Sequence, residues 1–376
     1  MKATDITRTV VLILISFTLA FGISLTRVES SEPLSPGVIP PTDLKKDMVA
    51  AAGEGSGPTT EKPVIGATQP PSPLSWNVRA GLLLLHRENN DKLALVTNSF
   101  APGGTVLVNA NDLNLGTEFG VDASLGVKLR MFGTAFGAEL RYFGLTEWSE
   151  SQGPLLSPGG GVVRFLTPIG NTGFPANISA EYKSKLQNAE FNLSWHPIEK
   201  RLITAGGFDI IDQLSVLIGG RYINLDEEMK ITQDIGPGLN TAIYKVPAKN
   251  ELWGGQIGIE AVPLRIGGLS IESFVKMICF NNDMHTKAQI TQTVGPTFLA
   301  RSTKEKTTWA SEFGIGLKYA FNQYIAFSGR YQLLWLDKVA LSPQQVPASD
   351  PALRRATVAT DSVLYQGGWV GIVISF

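Results

Sequence analysis

Glu118-Phe119-Gly120-Val121-Asp122-Ala123-Ser124-Leu125-Gly126-Val127-Lys128-Leu129-Arg130-Met131 alternates without a break. Phe119, Val121, Ala123, Leu125, Val127, Leu129 and Met131 fall on one side, with Glu118, Gly120, Asp122, Ser124, Gly126, Lys128 and Arg130 on the other. Successive side chains of an extended chain point to opposite faces, so a period of two predicts a strand with one apolar face. A helix would space its apolar positions every three to four residues. The run also exceeds the roughly 9–11 residues that a tilted strand needs to cross a bilayer.

The same period recurs from Leu74 onward. A first segment carries Trp76, Val78, Ala80, Leu82 and Leu84 on one face; a third carries Phe136, Ala138, Leu140 and Tyr142 opposite Gly137, Glu139 and Arg141. Ala189, Phe191, Leu193 and Trp195 mark a fourth, near 186–195. Leu214, Val216, Ile218 and Tyr222 mark a fifth; Trp253, Ile257, Ile259 and Ala261 a sixth; Leu269, Ile271, Val275 and Met277 a seventh. Phe313, Ile315, Leu317 and Tyr319 define an eighth, and Ile325, Phe327, Tyr331, Leu333 and Trp335 a ninth. The tenth ends the sequence, with Gly368, Val370, Ile372, Ile374 and Phe376 sharing a face. Ten such segments predict an all-β fold, an antiparallel up-and-down transmembrane β-barrel, whose strand number is even as single-chain bacterial barrels have it. Apolar pieces at Leu93–Val96 and Val162–Leu166 keep twelve strands open as the alternative.

Loop lengths agree with that architecture. Connections after odd strands are long (87–116, 149–183, 226–250, 281–306 and 338–362), whereas 132–135, 262–267 and 321–323 are short. Short periplasmic turns and longer outer loops are the pattern of an outer-membrane barrel. The segment 196–212 is longer than a turn requires. Tryptophans at strand ends should form girdles on the lipid face. Trp76 and Trp195 are assigned to the inner girdle, Trp148, Trp253, Trp309 and Trp335 to the outer one, and only Trp369 has the opposite parity. A soluble β-sandwich has no reason to rim its tryptophans in this way.

Composition narrows the class. The chain has 376 residues, 17% of them charged, with a net charge of -1, so there is no basic excess for nucleic acid. The longest apolar run, Val10–Ile23, is short for a membrane helix and follows Lys2 and Arg8. It fits a signal peptide over 1–22, cleaved after Gly22, with an uncleaved anchor as the alternative. Residues 23–73, rich in Pro, Gly and Ser, predict a disordered periplasmic linker before a barrel over 74–376. Cys279 is the single cysteine, so no internal disulfide forms, and a small apolar role on a strand face suffices for it.

Leu217-Ile218-Gly219-Gly220-Arg221-Tyr222-Ile223-Asn224-Leu225-Asp226-Glu227, Glu251-Leu252-Trp253-Gly254-Gly255-Gln256-Ile257-Gly258-Ile259, and Tyr324–Leu336 around Gly329-Arg330-Tyr331 resemble the β-barrel porin family numbered seven. The resemblance spans most of 74–376 and implies residence in the outer membrane; it transfers no catalytic residues. A last strand that stops on an aromatic likewise resembles the closing strand of bacterial outer-membrane barrels. That likeness implies that Phe376 serves as an assembly signal, read by the barrel-assembly machinery.

With the apolar parity toward lipid, the interior receives Arg79, Glu118, Asp122, Lys128, Arg130, Glu139, Arg141, Glu190, Arg221, Glu260, Glu272, Lys276, Glu312, Lys318 and Arg330. Buried charges must pair, because an isolated one costs several kcal/mol. A two-residue turn at Gly133-Thr134 would set Lys128 opposite Glu139 and Arg141 opposite Gly126. Arg330 should face Gly314 or Gly316, diagonal to Glu312, and Glu260 could face Glu272, the pair being neutralised by an arginine such as Arg221 or by a shared proton. Barrels of about eight strands are filled by side chains and water-filled channels need about sixteen, so ten predict at most a narrow polar passage. The functional expectation is a porin with a narrow, charge-lined interior for small polar solutes or ions. The alternative is a non-conducting structural or adhesive anchor whose long outer loops bind a ligand. A hydrolase is the third reading: His86 and His285 fall at outer strand ends with Asp283 nearby, but no further acidic cluster completes a site, and the chain is read as a non-enzyme. No cofactor or metal is expected, as the three histidines and one cysteine lack ligand spacing. Expected partners are outer-membrane lipids, the assembly machinery, and the cell wall through the linker.

Overall fold

Backbone groups inside a bilayer find no water, so strands cross it only as a closed ring. The computed structural model, which describes residues 73–88, 93–97, 105–156, 164–165, 177–198, 203–205, 208–234 and 241–376, contains such a ring. Its ten strands are β1 (Leu74–Glu88), β2 (Thr117–Met131), β3 (Thr134–Leu145), β4 (Asn177–Ile198), β5 (Phe208–Asp234), β6 (Thr241–Ile266), β7 (Leu269–Gln292), β8 (Phe298–Ala320), β9 (Ile325–Val339) and β10 (Asp361–Ser375). Each pairs antiparallel with its successor, and β10 closes the ring on β1 with Leu82 opposite Val370 and Val78 opposite Ile374. Phe376 completes the seam, exchanging both backbone hydrogen bonds with Trp76 (2.7 and 3.0 Å). The expected signal peptide (1–22) and all but the last residue of the linker (23–73) lie outside the described residues.

The outward parity is apolar through the middle of the ring. Leu82, Phe119, Val121, Ile218, Ile257, Leu317, Phe327 and Val370 are all exposed there, a belt far larger than a water-soluble surface carries. With its even strand number and its short turns gathered at one end, this is an outer-membrane β-barrel. The tightest of those turns, Phe132-Gly133, holds both residues at positive φ (52° and 78°), the two-residue hairpin geometry that matches strand twist. The turn lies one residue earlier than the sequence pattern indicated, because Met131 pairs with Thr134.

Beyond the girdle the polarity inverts. Strands β4–β8 run for 22–27 residues, so much of the expected outer loops 226–250 and 281–306 is strand. On β5 past Tyr222, the residues Ile223, Leu225, Met229 and Ile231 turn inward and are buried, while Asp226, Glu228 and Lys230 face out. Water outside and a dry interior demand apolar-in, polar-out, the reverse of the pattern in lipid. This upper interior is a hydrophobic core, in which Tyr244, Val246, Leu252 and Leu336 pack with residues from two connections. One connection supplies Leu95, Val96, Val108 and Leu113; the other supplies Leu341 and Val346, the latter from the helix α1 (Ser342–Ala348). The extra apolar pieces add no strands to the ring: Ala94–Thr97 pairs with Val106–Asn109 and Arg164–Phe165 in a separate small sheet. Within 196–212, Ile203–Ala205 pairs back onto β5 at Phe208–Ile210.

Trp148 corrects the girdle assignment. Trp76, Trp195, Trp253, Trp309 and Trp335 are 39–63% exposed on the lipid parity, whereas Trp148 is 0% exposed inside the core. Gly144 pairs with Gln187 but Trp148 with Ser184, so four steps along one strand match three along the other. The extra residue at Thr146–Glu147 reverses the parity at Trp148, where the segment Trp148–Leu156 continues β3.

Candidate functional site: the barrel interior

Seven strands each send one charged side chain to the same level of the interior: Asp122 (β2), Arg141 (β3), Glu190 (β4), Arg221 (β5), Lys276 (β7), Glu312 (β8) and Arg330 (β9). Arg141 reaches Asp122 (2.8 Å), Glu312 (3.0 Å) and Glu190 (3.2 Å). Arg221 meets the second oxygen of Glu312 at 2.5 Å, Lys276 donates to Glu190 at 2.8 Å, and Arg330 reaches Asp122 at 2.5 Å. Their side chains are at most 3% exposed, apart from Arg330 at 9%. Asn188, Gln256 and Gln332 fill the gaps: Arg221 donates to Asn188 (2.6 Å), Gln256 to Glu190 (3.1 Å) and Arg141 to Gln332 (3.3 Å). Phe143 lies against the guanidiniums of Arg141 and Arg221 on the side of the apolar core.

Small residues make the space. A Cβ built on Gly316 would stand 2.6 Å from Cβ of Arg330, its partner in the ladder, as the sequence pattern anticipated. Arg330 also stacks on Trp369, the one tryptophan whose opposite parity was predicted (4.8 Å).

Three pairings are corrected. Lys128 faces Gly137, Glu139 faces Gly126 and Arg141 faces Ser124, each displaced by two positions because the turn sits at Phe132-Gly133. Glu260 faces Phe274 and not Glu272, because β6 runs on to Ile266 and its hairpin turns at Gly267-Gly268. Arg221, expected near those two carboxylates, is committed to Glu312 and Glu190.

Toward the inner end lies a cavity of about 420 Å³. Arg79, Lys128, Arg130, Glu139, Glu260, Glu272 and Lys318 line it, with Lys318 paired to Glu272 at 3.3 Å. Glu118 lies apart from these at the outer rim and accepts from Thr146 (3.0 Å). His196, a wall residue absent from the expected interior set, stands between Ser215 (2.5 Å) and Ser194 (3.1 Å). The signal for it was the parity of Ser194 and His196 on β4, opposite to that of Trp195. With both ring nitrogens facing hydroxyls, His196 has the environment of a satisfied buried histidine.

At the outer end a second buried centre holds the connection after β9. Glu227 accepts from Arg87 (2.7 Å), Tyr182 (2.8 Å), Ser184 (3.3 Å) and the backbone N–H of Ser342 (2.9 Å). Burial pushes the Tyr182 phenol well above its ordinary range, which keeps it a donor. Asn250 clamps the same connection by donating to the carbonyl of Ala340 (2.9 Å) and accepting from its N–H (2.7 Å). Leu341, Val346 and Tyr365 then pack in the mouth. The sequence pattern hides this centre, because Glu227 falls at the edge of the expected outer loop 226–250. His86 and His285 do not converge: they sit on β1 and β7, which are not neighbours, and His285 pairs with Asp283 (3.2 Å) on the exposed outer face.

No family model matches the chain, nor does any curated protein, so the resemblance to the porin family is not established. Among solved structures, outer membrane protease OmpT from Escherichia coli aligns over 81% of this chain and 97% of its own, at 9% identity and TM-score 0.36. The translocator domain of autotransporter NalP from Neisseria meningitidis aligns over 80% and 87%, at 8% identity and TM-score 0.28. A Pseudomonas aeruginosa FadL homologue aligns over 81% and 90%, at 10% identity and TM-score 0.24. Likeness at this level carries no activity across to this chain.

Proposed function

We propose that this protein is a closed barrel that anchors its tall outer part in the outer membrane without sustaining an open water path. The observation that supports this reading is the seven-strand charge network, whose side chains are almost wholly buried across the middle of the interior. Water-filled channels belong to wider barrels, and a ring of ten strands lies near the size that side chains fill. Above the network, the apolar core closed by α1 adds a second barrier. What the anchor presents is the polar outer surface of β4–β8 together with the connections at that end.

A gated passage for small polar solutes or ions is the second reading, and the charged inner cavity of about 420 Å³ favours it. Solute entry into proteoliposomes separates the two. The closed reading expects no uptake of small sugars or ions by the full chain and none after Glu227→Ala, because the network still fills the middle. Uptake by Glu227→Ala alone would establish the gated passage, and uptake by the unaltered chain would refute closure.

A further inference from the structure

On the outer faces of β4–β8, the first charged row beyond the Trp253 level is acidic, with Glu251, Asp283 and Glu305 as successive partners, and basic residues gather in the two rows above it. Lys185, Asp226, Lys249, His285 and Thr303 are successive cross-strand partners, so they form one lateral row. In the next row outward, Lys183 pairs with Glu228, and Lys287 pairs with Arg301. These rows line a groove of about 500 Å³. Its cations Lys183, Lys185, Lys249, Lys287 and Arg301 stand against the carboxylates Glu147, Asp226 and Glu228 of the lining and Glu181 and Glu251 beside it, with Glu227 turned inward to Arg87, so what marks the groove is which of its cations lack an ion pair. Lys183 is shared with Glu147 and Glu181 (3.4 and 3.2 Å), and Lys249 with Glu251. Lys185, Lys287 and Arg301 have no ion pair among the described residues. Like charges directly opposite on a ladder repel, so Lys287 against Arg301 weakens the sheet unless an anion lies between them.

Height selects the anion. Lys249 is four residues beyond Trp253 on the same strand, about 13 Å along it at roughly 3.3 Å per residue. With a tilt of about 40° that is on the order of 10 Å along the membrane normal, past the hydrocarbon edge and among head groups. Exposed Trp253 and Trp309 lie below it, where acyl chains would run.

We propose that this groove binds the phosphates of an anionic glycolipid in the outer leaflet, with Lys287 and Arg301 bracketing one phosphate and Lys185 and Lys249 reaching toward a second. The assignment does not depend on whether the barrel conducts.

The test titrates the full chain, in uncharged detergent micelles without divalent cations, with a bis-phosphorylated acyl-glucosamine lipid. Its dephosphorylated counterpart and inorganic phosphate serve as comparison ligands. We expect binding that needs the phosphates, falls with salt, and is roughly thirty-fold weaker in the double variant Lys287→Gln, Arg301→Gln, at about one decade per 1.4 kcal/mol and roughly 1 kcal/mol per surface cation. Arg355→Gln, outside the groove, should bind as the unaltered chain does. Heat-resistant electrophoretic mobility verifies that each variant is folded. Equal binding of the dephosphorylated lipid, or full affinity in the folded double variant, would overturn the proposal. Tight binding of inorganic phosphate without acyl chains would assign the groove to a soluble anion and overturn the lipid assignment.

Discussion

Replacing Glu312 with alanine should be among the most damaging single changes to the barrel interior. Glu312 is 1% exposed and holds two guanidiniums, Arg141 at 3.0 Å and Arg221 at 2.5 Å. The network has four cations (Arg141, Arg221, Lys276 and Arg330) against three carboxylates (Asp122, Glu190 and Glu312), so the loss takes its balance from +1 to +2. Orphaning a buried charge costs about 3–5 kcal/mol. Glu228→Ala, which breaks an exposed pair with Lys245 (2.7 Å), should cost less than about 1 kcal/mol. Equilibrium urea unfolding in lipid vesicles, followed by tryptophan fluorescence, measures both. The double variant Glu312→Met, Arg221→Met restores +1 and should recover part of the loss, since the penalty comes from the unpaired charge. A Glu312→Ala barrel within about 1 kcal/mol of the original, or no more damaged than Glu228→Ala, would refute the reasoning.

Further outcomes follow from geometry. Brominated lipids should quench a barrel whose only tryptophan is Trp253 and leave one retaining only Trp148 unquenched, because the first is 63% exposed on the lipid face and the second 0%. Gly316→Val should cost about 1–3 kcal/mol in the same unfolding assay, because its Cβ would meet Arg330 at 2.6 Å. Gly220→Ala, with its nearest neighbour at 3.9 Å, is the inert comparison. The hydrogen bond from Lys183 holds the Glu181 carboxyl below its usual range. A depressed carboxylate stabilises the fold above its unfolded pKa, and that contribution is lost as pH falls through the folded one. Glu181→Gln should therefore lower stability near neutral pH by well under about 1 kcal/mol, given solvent screening, and change nothing once acid has protonated the group.

The ring was legible wherever lipid wrote it into the chain. Leu82, Phe119, Ile257 and Phe327 repeat every second residue because one face of each strand meets hydrocarbon and the other a polar interior. Past Tyr222 the same strands meet water outside and a dry core inside, so Met229 and Ile231 carry the inverse pattern and resembled loop. Trp148 was misplaced by one inserted residue, which changes no composition but reverses parity. Of the charged interior, the residues were predictable from parity; their partners were not. Arg141 meets Glu312 and Arg330 meets Asp122 across the barrel, contacts set by ring closure and strand tilt and not by ladder neighbours. The Glu227 centre was invisible for a related reason: its partners come from β1, β4 and the connection after β9.

Single-channel recording of the refolded full chain in a planar bilayer tests closure most directly. A barrel filled by the seven-strand network and capped by an apolar core should insert silently, with no sustained current steps across a range of voltages. Long-lived, ohmic, weakly selective steps from protein with heat-resistant barrel mobility would contradict it, because they require a continuous column of water where the structure holds paired side chains.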